Sequence, residues 1–414
     1  MNNSAIGPIS PSERNQALDV LRGFAIFGIL IMNIQSFAMV GSAYFNPTVH
    51  SDMTGLNQWI YYLSHIFADS KFMTIFSLLF GGSIIMITNR IETKGIKPRG
   101  VYYRRMLVLL LLGCMHAYLL WYGDVLVWYA LCGFWAFLFR KFSPKWLIFI
   151  GLILLGIGSA LSILSGLSLP YMPAENYQNL MEQWAPSQER LQVEIDTYQG
   201  TWLEQMKHRL PFAFMLHTFV FFFFALWRVG GLFLIGMALF KMGIFTAKQT
   251  PRFYIILTLT GFILGFPLVI TGLINNYAAN WSLDYTKFLG SQYNYWGSIP
   301  VSLGYIGCIM LACKSSHWLP YLQPMAKIGR TALSNYLLQT VICTTLFYGH
   351  GFGLFGQVER SGQVLIVLCV WISQLLITAL WLQYFRLGPI EWIWRSLTYK
   401  QFQPLRQTNR VSLL

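Results

Sequence analysis

The stretch VYYRRMLVLLLLGCMHAYLLWYGDVL, residues 101–126, decides the fold class of this chain. An apolar run long enough to cross a bilayer follows Arg105 and contains one histidine, His116. At a helical rise of about 1.5 Å per residue, His116 lies roughly 16 Å from Arg105 along the helix axis. Because a hydrocarbon core is about 30 Å thick, an arginine at its edge predicts a histidine near its middle. An ionisable side chain is costly to bury at that depth, so His116 is a functional candidate.

The composition of the whole chain is typical of a membrane protein. Of its 414 residues, 55% are hydrophobic and only 11% are charged, whereas a soluble domain has about 25% charged residues. Apolar runs separated by turn residues predict an all-α polytopic membrane protein with about ten transmembrane helices in one bundle. The predicted spans are 18–42, 58–89, 104–122, 124–141, 145–166, 212–241, 253–274, 296–314, 328–348 and 363–385.

The distribution of basic residues orients this bundle. The net charge of +14 arises mainly in alternate loops, of which 89–105 and the tail from Arg386 are the most basic. The positive-inside rule places these loops, and with them both termini, on the cytoplasmic side. No basic stripe with interleaved aromatic residues lies in a soluble module, which argues against a nucleic-acid partner. The expected partner of the surface is the lipid bilayer.

The longest external segment, 167–210, separates two halves of the predicted bundle. Its charges and its periodic apolar residues predict one or two amphipathic helices, which serve either as a membrane-lying connector or as a lid over an external pocket. The sequence does not decide whether the long spans 58–89 and 212–241 are single or broken helices. The predicted segments are a flexible N-terminus (1–17), two membrane halves of about five helices each (18–166 and 211–385), the external segment (167–210) and a basic cytoplasmic tail (386–414).

Three predicted spans begin with an arginine at the cytoplasmic edge and carry polar side chains deeper in the helix. An arginine there either anchors its helix to lipid headgroups or binds the phosphate of a ligand through its guanidinium. Repetition of the pattern favours a phosphate-bearing ligand that enters from the cytoplasm. The sets are Arg22 with Asn33, Arg105 with His116, and Arg330 with Asn335 and Gln339.

The chemistry of His116 has three interpretations. It is a buried histidine bonded to a neighbouring helix, a proton relay, or a general base that deprotonates an attacking hydroxyl or amine. Asn33 and Gln339 are neutral and either stabilise the resulting oxyanion or form hydrogen bonds between helices.

Charged residues near the external ends of the helices form a second candidate cluster. Asp124 follows Gly123 in a tight turn, where it caps the next helix or pairs with Lys71. Asp69 and Lys71 are two positions apart and do not face each other on a helix, so each needs another partner. Arg228 has no partner in its own helix, and the two aspartates are its candidate partners.

The remaining signatures of cofactor and metal chemistry are absent from the sequence. Six cysteines all lie in apolar runs and form no CxxC motif, which predicts neither disulfides nor structural zinc. The other histidines lack metal-ligand spacing, so we expect no metal site and no permanently bound cofactor.

Dispersed motifs occur in order between about residues 18 and 399. They are LDVLRGFAIFGILIMN (18–33), SKFMTIFSLLFG (70–81), the stretch 116–124, GRTALSNYLLQT (329–340) and FRLGPIEWIWRSLTY (385–399). Together they resemble the YeiB family of bacterial inner-membrane proteins, which implies a multi-pass protein of the inner membrane. The YeiB family itself looks related to a superfamily of transmembrane acyltransferases that includes O-antigen and peptidoglycan O-acetylases and heparan-α-glucosaminide N-acetyltransferase.

The chain departs from these acyltransferases at one decisive position. The O-acetylases place an essential Arg-x₁₀-His in a first helix that opens LD-x-LRG, and this chain has Arg22 but Asn33 at the histidine position. The heparan enzyme resembles it in that asparagine and has its histidine eleven residues further on, where this chain has Tyr44. We infer that His116 supplies the missing histidine from the third span.

The leading hypothesis is an acyltransferase that uses a cytoplasmic acyl-CoA-type donor and an unidentified envelope acceptor. The alternatives are a transporter or flippase for an anionic or amphipathic solute, and a non-catalytic scaffold. A dry apolar bundle around His116 favours the scaffold, whereas a cavity that is open to the cytoplasm and lined by the three arginines favours the acyl donor. The expected residues are His116, Asn33 and Asp124 for catalysis, Arg22, Arg105, Arg330, Asn335 and Gln339 for the donor, and Asp69, Lys71 and Arg228 for the acceptor.

Overall fold

The apolar runs become helices in a computed structural model that describes residues 15–50 and 53–407. Most of the predicted flexible N-terminus and the last residues of the basic tail, 408–414, lie outside the described residues. Within the two described ranges there is no β-strand, and a single antiparallel bridge joins Phe385 to Arg406. The protein is an all-α polytopic membrane protein.

The first half of the described chain forms six helices before the external segment. Asn15 caps the first of them, because its side chain accepts a hydrogen bond from the backbone N–H of Leu18. The helices are α1 (Gln16–Ala38), α2 (Gly55–Phe67), α3 (Lys71–Glu92), α4 (Arg99–Met115), α5 (Leu126–Ala136) and α6 (Pro144–Leu167).

The external segment folds into two amphipathic helices and leads into the second half of the chain. A capping box between Thr201 and Glu204 starts the helix that returns toward the bundle. The two helices of the external segment are α7 (Ala174–Trp184) and α8 (Gln188–Gln199). The helices that follow are α9 (Trp202–Met215), α10 (Leu226–Lys241), α11 (Pro251–Ala278), α12 (Ser291–Lys314), α13 (Gln323–Arg330), α14 (Ala332–Phe347), α15 (Arg360–Tyr384) and α16 (Pro389–Tyr399).

Eight helical stretches among the described residues are long and apolar enough to cross a membrane. Two shorter apolar helices, Leu126–Phe139 and Ala332–Phe347, coincide with the two remaining predicted spans. The short helices lie deep in the bundle, where other helices rather than lipid surround much of their surface. Each predicted span therefore corresponds to an apolar helix of the structure.

The two long predicted spans behave differently. The first breaks between Phe67 and Lys71, where Ser70 adopts a left-handed conformation with φ 64°. The second continues from Trp202 to Lys241, because a π-helical stretch, Leu216–Ala225, joins α9 to α10. A π-helical stretch leaves carbonyl groups open to other donors, and the Trp128 indole N–H donates to the carbonyl of Leu216 at 3.1 Å.

Helix packing places α1 and α3 at the centre of the bundle. The α3 helix packs on α10, which also contacts α6, and on α12, which packs in turn on α11. The α1 helix crosses α13 so closely that a side-chain carbon on Gly23 or Gly329 would collide with the backbone of the other helix. Each glycine is next to one of the predicted donor-binding arginines, and the crossing therefore holds Arg22 and Arg330 near each other.

Candidate functional site

An elongated cavity of about 370 Å³ runs through the bundle between α1, α3, α4, α5 and α14. Along α3 its lining extends from Phe72 to Ile91. The nineteen helical steps between these two residues span about 28 Å, which is close to the thickness of a hydrocarbon core. The cavity thus extends from the basic end of the bundle nearly to the opposite end.

The three arginines that were predicted to bind the donor lie together at the basic end of the cavity. Arg22, Arg105 and Arg330 all line it. They come from three different helices, so their convergence is a property of the fold and not of one sequence motif. Further cations line the same end, namely Arg90, Lys94 and Arg395.

Local contacts hold each of the three guanidinium groups. Arg22 pairs with Asp19 at 3.0 Å and donates to the Ser83 hydroxyl at 3.2 Å. Arg330 donates to the carbonyl of Arg386 at 2.5 Å. Arg105 lies over the ring of Trp394, with its guanidinium carbon 3.6 Å from the ring centroid.

Arg105 differs from the other two arginines in its partners. Among the described residues its guanidinium forms no hydrogen bond and no ion pair, and it lies against the ring of Trp394. A guanidinium has five N–H donors. Arg105 therefore presents hydrogen-bonding capacity to the cavity that the protein does not use.

His116 lies behind the wall of the cavity and does not line it. Its Nδ1 is 2.7 Å from Asp124 Oδ1, and its Nε2 is 2.9 Å from the hydroxyl of Thr340. The histidine is only 2% exposed, and its ring packs against Tyr336, which does line the cavity. The expectation that His116 faces a reacting group is therefore corrected, because both ring nitrogens are occupied inside the bundle.

Asp124 has the capping role that its sequence position allowed. Its Oδ2 accepts the backbone N–H of Val127 at 2.8 Å, and its Oδ1 holds His116. The alternative partnership with Lys71 is wrong, because both carboxylate oxygens are engaged elsewhere. Thr340 was not predicted as a partner of His116, because the two residues lie more than two hundred positions apart in the chain.

The deep amide side chains divide between the cavity and the helix interfaces. Asn33 lines the cavity, as expected for a group near a ligand. Asn335 and Gln339 do not line it. Asn335 donates to Thr331 and Thr378, and Gln339 donates to the Ile26 carbonyl at 3.2 Å and to Gln374 at 3.0 Å. Their assignment to donor binding is corrected to hydrogen bonding between helices.

Asp69 and Lys71 belong to a buried polar network at the opposite end of the cavity. Asn294 connects them, since its Oδ1 accepts from Lys71 Nζ at 2.7 Å and its Nδ2 donates to Asp69 Oδ2 at 2.8 Å. The same Oδ2 is 3.0 Å from Nδ1 of His65. The spacing of four residues between His65 and Asp69 on a helix could have predicted this pair.

Arg228 forms no hydrogen bond with either expected aspartate. Its guanidinium donates to the Tyr295 carbonyl at 2.5 Å, to the Ser298 hydroxyl at 2.7 Å and to the Thr74 hydroxyl at 3.1 Å. It is 1% exposed and does not line the cavity. Its predicted acceptor-side role is corrected to a contact between α10, α12 and α3.

The two external helices do not contribute to the cavity. No residue of α7 or α8 lines it, which favours a connector over a lid. Glu194 of α8 accepts the backbone N–H of Gly41 at 2.9 Å and so ties the segment to the end of α1. Burial raises the pKa of this carboxyl, and its hydrogen bond to Gly41 opposes the rise only in part.

Comparison with known proteins places this architecture in one family. A family model described as "Protein of unknown function (DUF418)" matches residues 239–401. The chain is 30% identical to the uncharacterized protein YxaH of Bacillus subtilis (strain 168), over 99% of this chain and 100% of the relative. It is also 30% identical to the uncharacterized protein YeiB of Escherichia coli (strain K12), over 96% of this chain and 100% of the relative.

A third relative shows the same full-length similarity. It is the uncharacterized 39.9 kDa protein in the amylase 3' region of Bacillus acidopullulyticus, 29% identical over 96% of this chain and 97% of the relative. None of the three names states an activity. Because the similarity spans nearly the whole length of each relative, and because residues 239–401 match the DUF418 model, this chain belongs to the YeiB family.

Proposed function

We propose that the protein is an integral-membrane acyltransferase that takes an acyl-CoA-type donor into its cavity from the basic end. The observation that carries the proposal is the convergence of Arg22, Arg105 and Arg330 on one elongated cavity. An acyl-CoA has phosphates at one end and an acyl thioester at the end of a long arm. A basic opening joined to a long, largely apolar cavity matches that distribution of charge.

The charges at the basic end favour an anionic ligand. Asp19 and Glu391 are the acidic residues that line this end. Asp19 pairs with Arg22, and Glu391 accepts the backbone N–H groups of Leu333 and Ser334. Neither carboxylate is hydrogen bonded to Arg105. The guanidinium of Arg105 can therefore donate hydrogen bonds to the phosphate of a ligand.

The middle of the cavity supplies apolar surface for the arm and the acyl chain. Its wall contains Phe72, Phe76, Leu79 and Phe80, which form one side of α3. Asn33 is a polar group that α1 contributes to the cavity wall. An uncharged amide in an apolar wall can hold the thioester carbonyl without repelling the phosphates.

The proposal predicts that Arg105→Ala weakens the binding of acetyl-CoA to purified protein. Loss of a charge-assisted hydrogen bond costs about 1.5–3 kcal/mol, which corresponds to a Kd increase of about 10- to 100-fold. Isothermal titration calorimetry in detergent measures this change. Arg99→Ala is the matched control, because Arg99 lies on the same helix, is exposed and does not line the cavity.

Two results would contradict the proposal. Equal Kd values for Arg105→Ala and Arg99→Ala would remove Arg105 from the donor site. Absence of acetyl-CoA or longer acyl-CoA binding to the unmodified protein would remove the donor altogether.

A transporter or flippase for an amphipathic anion is the second candidate. The length of the cavity favours it, because a cavity that extends along nearly all of α3 is also a path across the bilayer. The two functions differ in their product. Transfer of a radiolabelled acetyl group to a new molecule identifies an acyltransferase, whereas movement of an intact labelled solute into proteoliposomes identifies a transporter.

A further inference from the structure

A second histidine–aspartate pair lies at the opposite end of the cavity from the arginines. His65 Nδ1 is 3.0 Å from Asp69 Oδ2, and the side chains are 13% and 19% exposed. The side chains of the His116–Asp124 pair are 1% and 0% exposed. The two pairs have similar chemistry, but only the His65 pair is accessible.

The two histidines differ most in the hydrogen bonding of their second ring nitrogen, Nε2. Among the described residues, no side chain or carbonyl forms a hydrogen bond with its Nε2, whereas Thr340 occupies Nε2 of His116. In a neutral imidazole, a carboxylate beside Nδ1 favours the tautomer that carries its proton there, and the lone pair is then on Nε2. His65 therefore has the arrangement of a general base that is ready to accept a proton.

The surrounding network fixes the orientation of this pair. Asn294 donates to the same oxygen of Asp69 at 2.8 Å, and the Ser70 hydroxyl donates to the other oxygen at 3.2 Å. Lys71 donates to Asn294 at 2.7 Å and to the backbone carbonyl of His65 at 2.7 Å. Tyr61 stacks on the His65 ring, with centroids 5.9 Å apart. Both side chains of the pair are thus held from several directions.

The pair is next to the cavity although its own side chains do not line it. Ala68 and Ser70, which flank Asp69 in sequence, line the cavity, and so does Tyr44. Burial raises the pKa of Tyr44, and the nearby charge of Asp69 raises it further. A group bound in this end of the cavity therefore contacts the residues on both sides of Asp69 in the chain.

We propose that His65 is the general base that activates the acceptor at this end of the cavity, with Asp69 orienting its ring. The inference rests on the proposed acyltransferase function and names the residue that carries out its proton transfer. The acceptor is a hydroxyl or amine that approaches from the side opposite the arginines. Asn294 and Lys71 act as positioning residues, because they hold Asp69 and the backbone of His65.

With an acyl thioester as the donor, each proton and each electron pair of the proposed transfer reaction is accounted for. His65 Nε2 takes the proton of the acceptor hydroxyl while the oxygen of that hydroxyl forms a bond to the carbonyl carbon of the thioester. The carbon–sulfur bond then breaks, and the leaving thiolate takes the proton from Nε2. The products are an acyl ester, or an amide from an amine, and a free thiol, and His65 returns to its neutral form.

The experiment compares His65→Gln with His317→Gln in full-length protein in proteoliposomes, with labelled acetyl-CoA and a bacterial envelope extract as the acceptor. His317 is an exposed histidine at the basic end and does not line the cavity. We expect His65→Gln to lower the rate of label transfer by about 10²-fold or more, with the Kd for acetyl-CoA unchanged. We expect His317→Gln to match the unmodified protein in both measurements.

Chemical rescue separates catalysis from a purely structural role. In a His65→Ala variant, added imidazole should restore part of the transfer rate, which a residue needed only for folding would not show. Normal label transfer by His65→Gln would overturn the inference while leaving the donor site intact. Failure of rescue in a variant that still binds acetyl-CoA and is monodisperse would also overturn it. Absence of acetyl-CoA binding to the unmodified protein would instead overturn the proposed function on which the inference rests.

Discussion

His116 is held on both ring nitrogens, and this determines the effect of replacing it. A His116→Ala variant leaves the Asp124 carboxylate buried without its imidazole and the Thr340 hydroxyl without a partner. Removal of one member of a buried pair costs about 3–5 kcal/mol. We therefore expect a clear fall in the midpoint of thermal unfolding in detergent, with an unchanged Kd for acetyl-CoA. Lost acetyl-CoA affinity at unchanged thermal stability would show instead that His116 reaches the ligand.

The same residue shows what spacing can and cannot predict. The distance from Arg105 gives the depth of His116, because the rise per residue of a helix is fixed. The direction in which the ring points depends on which helices surround α4, and Thr340 comes from α14. Arg105 was identifiable because the positive-inside rule operates on sequence alone. Its contact with Trp394 was not, because α16 reaches it only in the folded chain.

At the scale of single elements, α16 forms part of the cavity wall at the basic end of the bundle. Glu391 in its first turn accepts the backbone N–H of Leu333 at 2.7 Å and of Ser334 at 3.1 Å, and it also accepts the Ser334 hydroxyl. These are N–H groups at the start of α14, which have no partner within that helix. One residue thus caps α14 and attaches α16 to it, three positions before Trp394.

Glu391→Ala is therefore expected to lower both stability and donor affinity. Buried N–H groups that lose their acceptor cost about 1–3 kcal/mol, and a loosened α16 no longer holds Trp394 against Arg105. The midpoint of thermal unfolding and the Kd for acetyl-CoA measure the two effects. Glu189→Ala, on the exposed side of α8, is the control. A variant that binds acetyl-CoA with normal affinity would show that α16 does not shape the site.

Element boundaries illustrate a second limit of sequence reasoning. Each predicted apolar run contains a helix, because periodic or continuous hydrophobicity is a local property. The break before Lys71 was not predictable, since Ser70 adopts its left-handed conformation without the glycine that usually marks one. At that break Asp69 accepts a hydrogen bond from Asn294 of α12. The accessible His65–Asp69 pair thus lies at a feature that hydropathy does not detect.

At the scale of the whole molecule, the cavity depends on contacts between distant parts of the chain. Its lining comes from α1 near one terminus, from α3 to α5, and from α14 and α16 near the other terminus. The proposed donor and acceptor sites lie at its two ends. Which end meets which compartment is therefore decisive for the function, and the positive-inside rule predicts that the arginines face the cytoplasm.

This orientation predicts the labelling pattern of single cysteines placed at Lys97 and Glu189 in a variant without the native cysteines. Both positions are exposed, one in the most basic loop and the other in the external segment. In spheroplasts of an expressing bacterium, a membrane-impermeant maleimide should label Glu189→Cys at once and Lys97→Cys only after the membrane is permeabilised. The reverse pattern would place the arginines outside, where acyl-CoA is absent, and the donor would then have to be a phosphate-bearing molecule of the envelope.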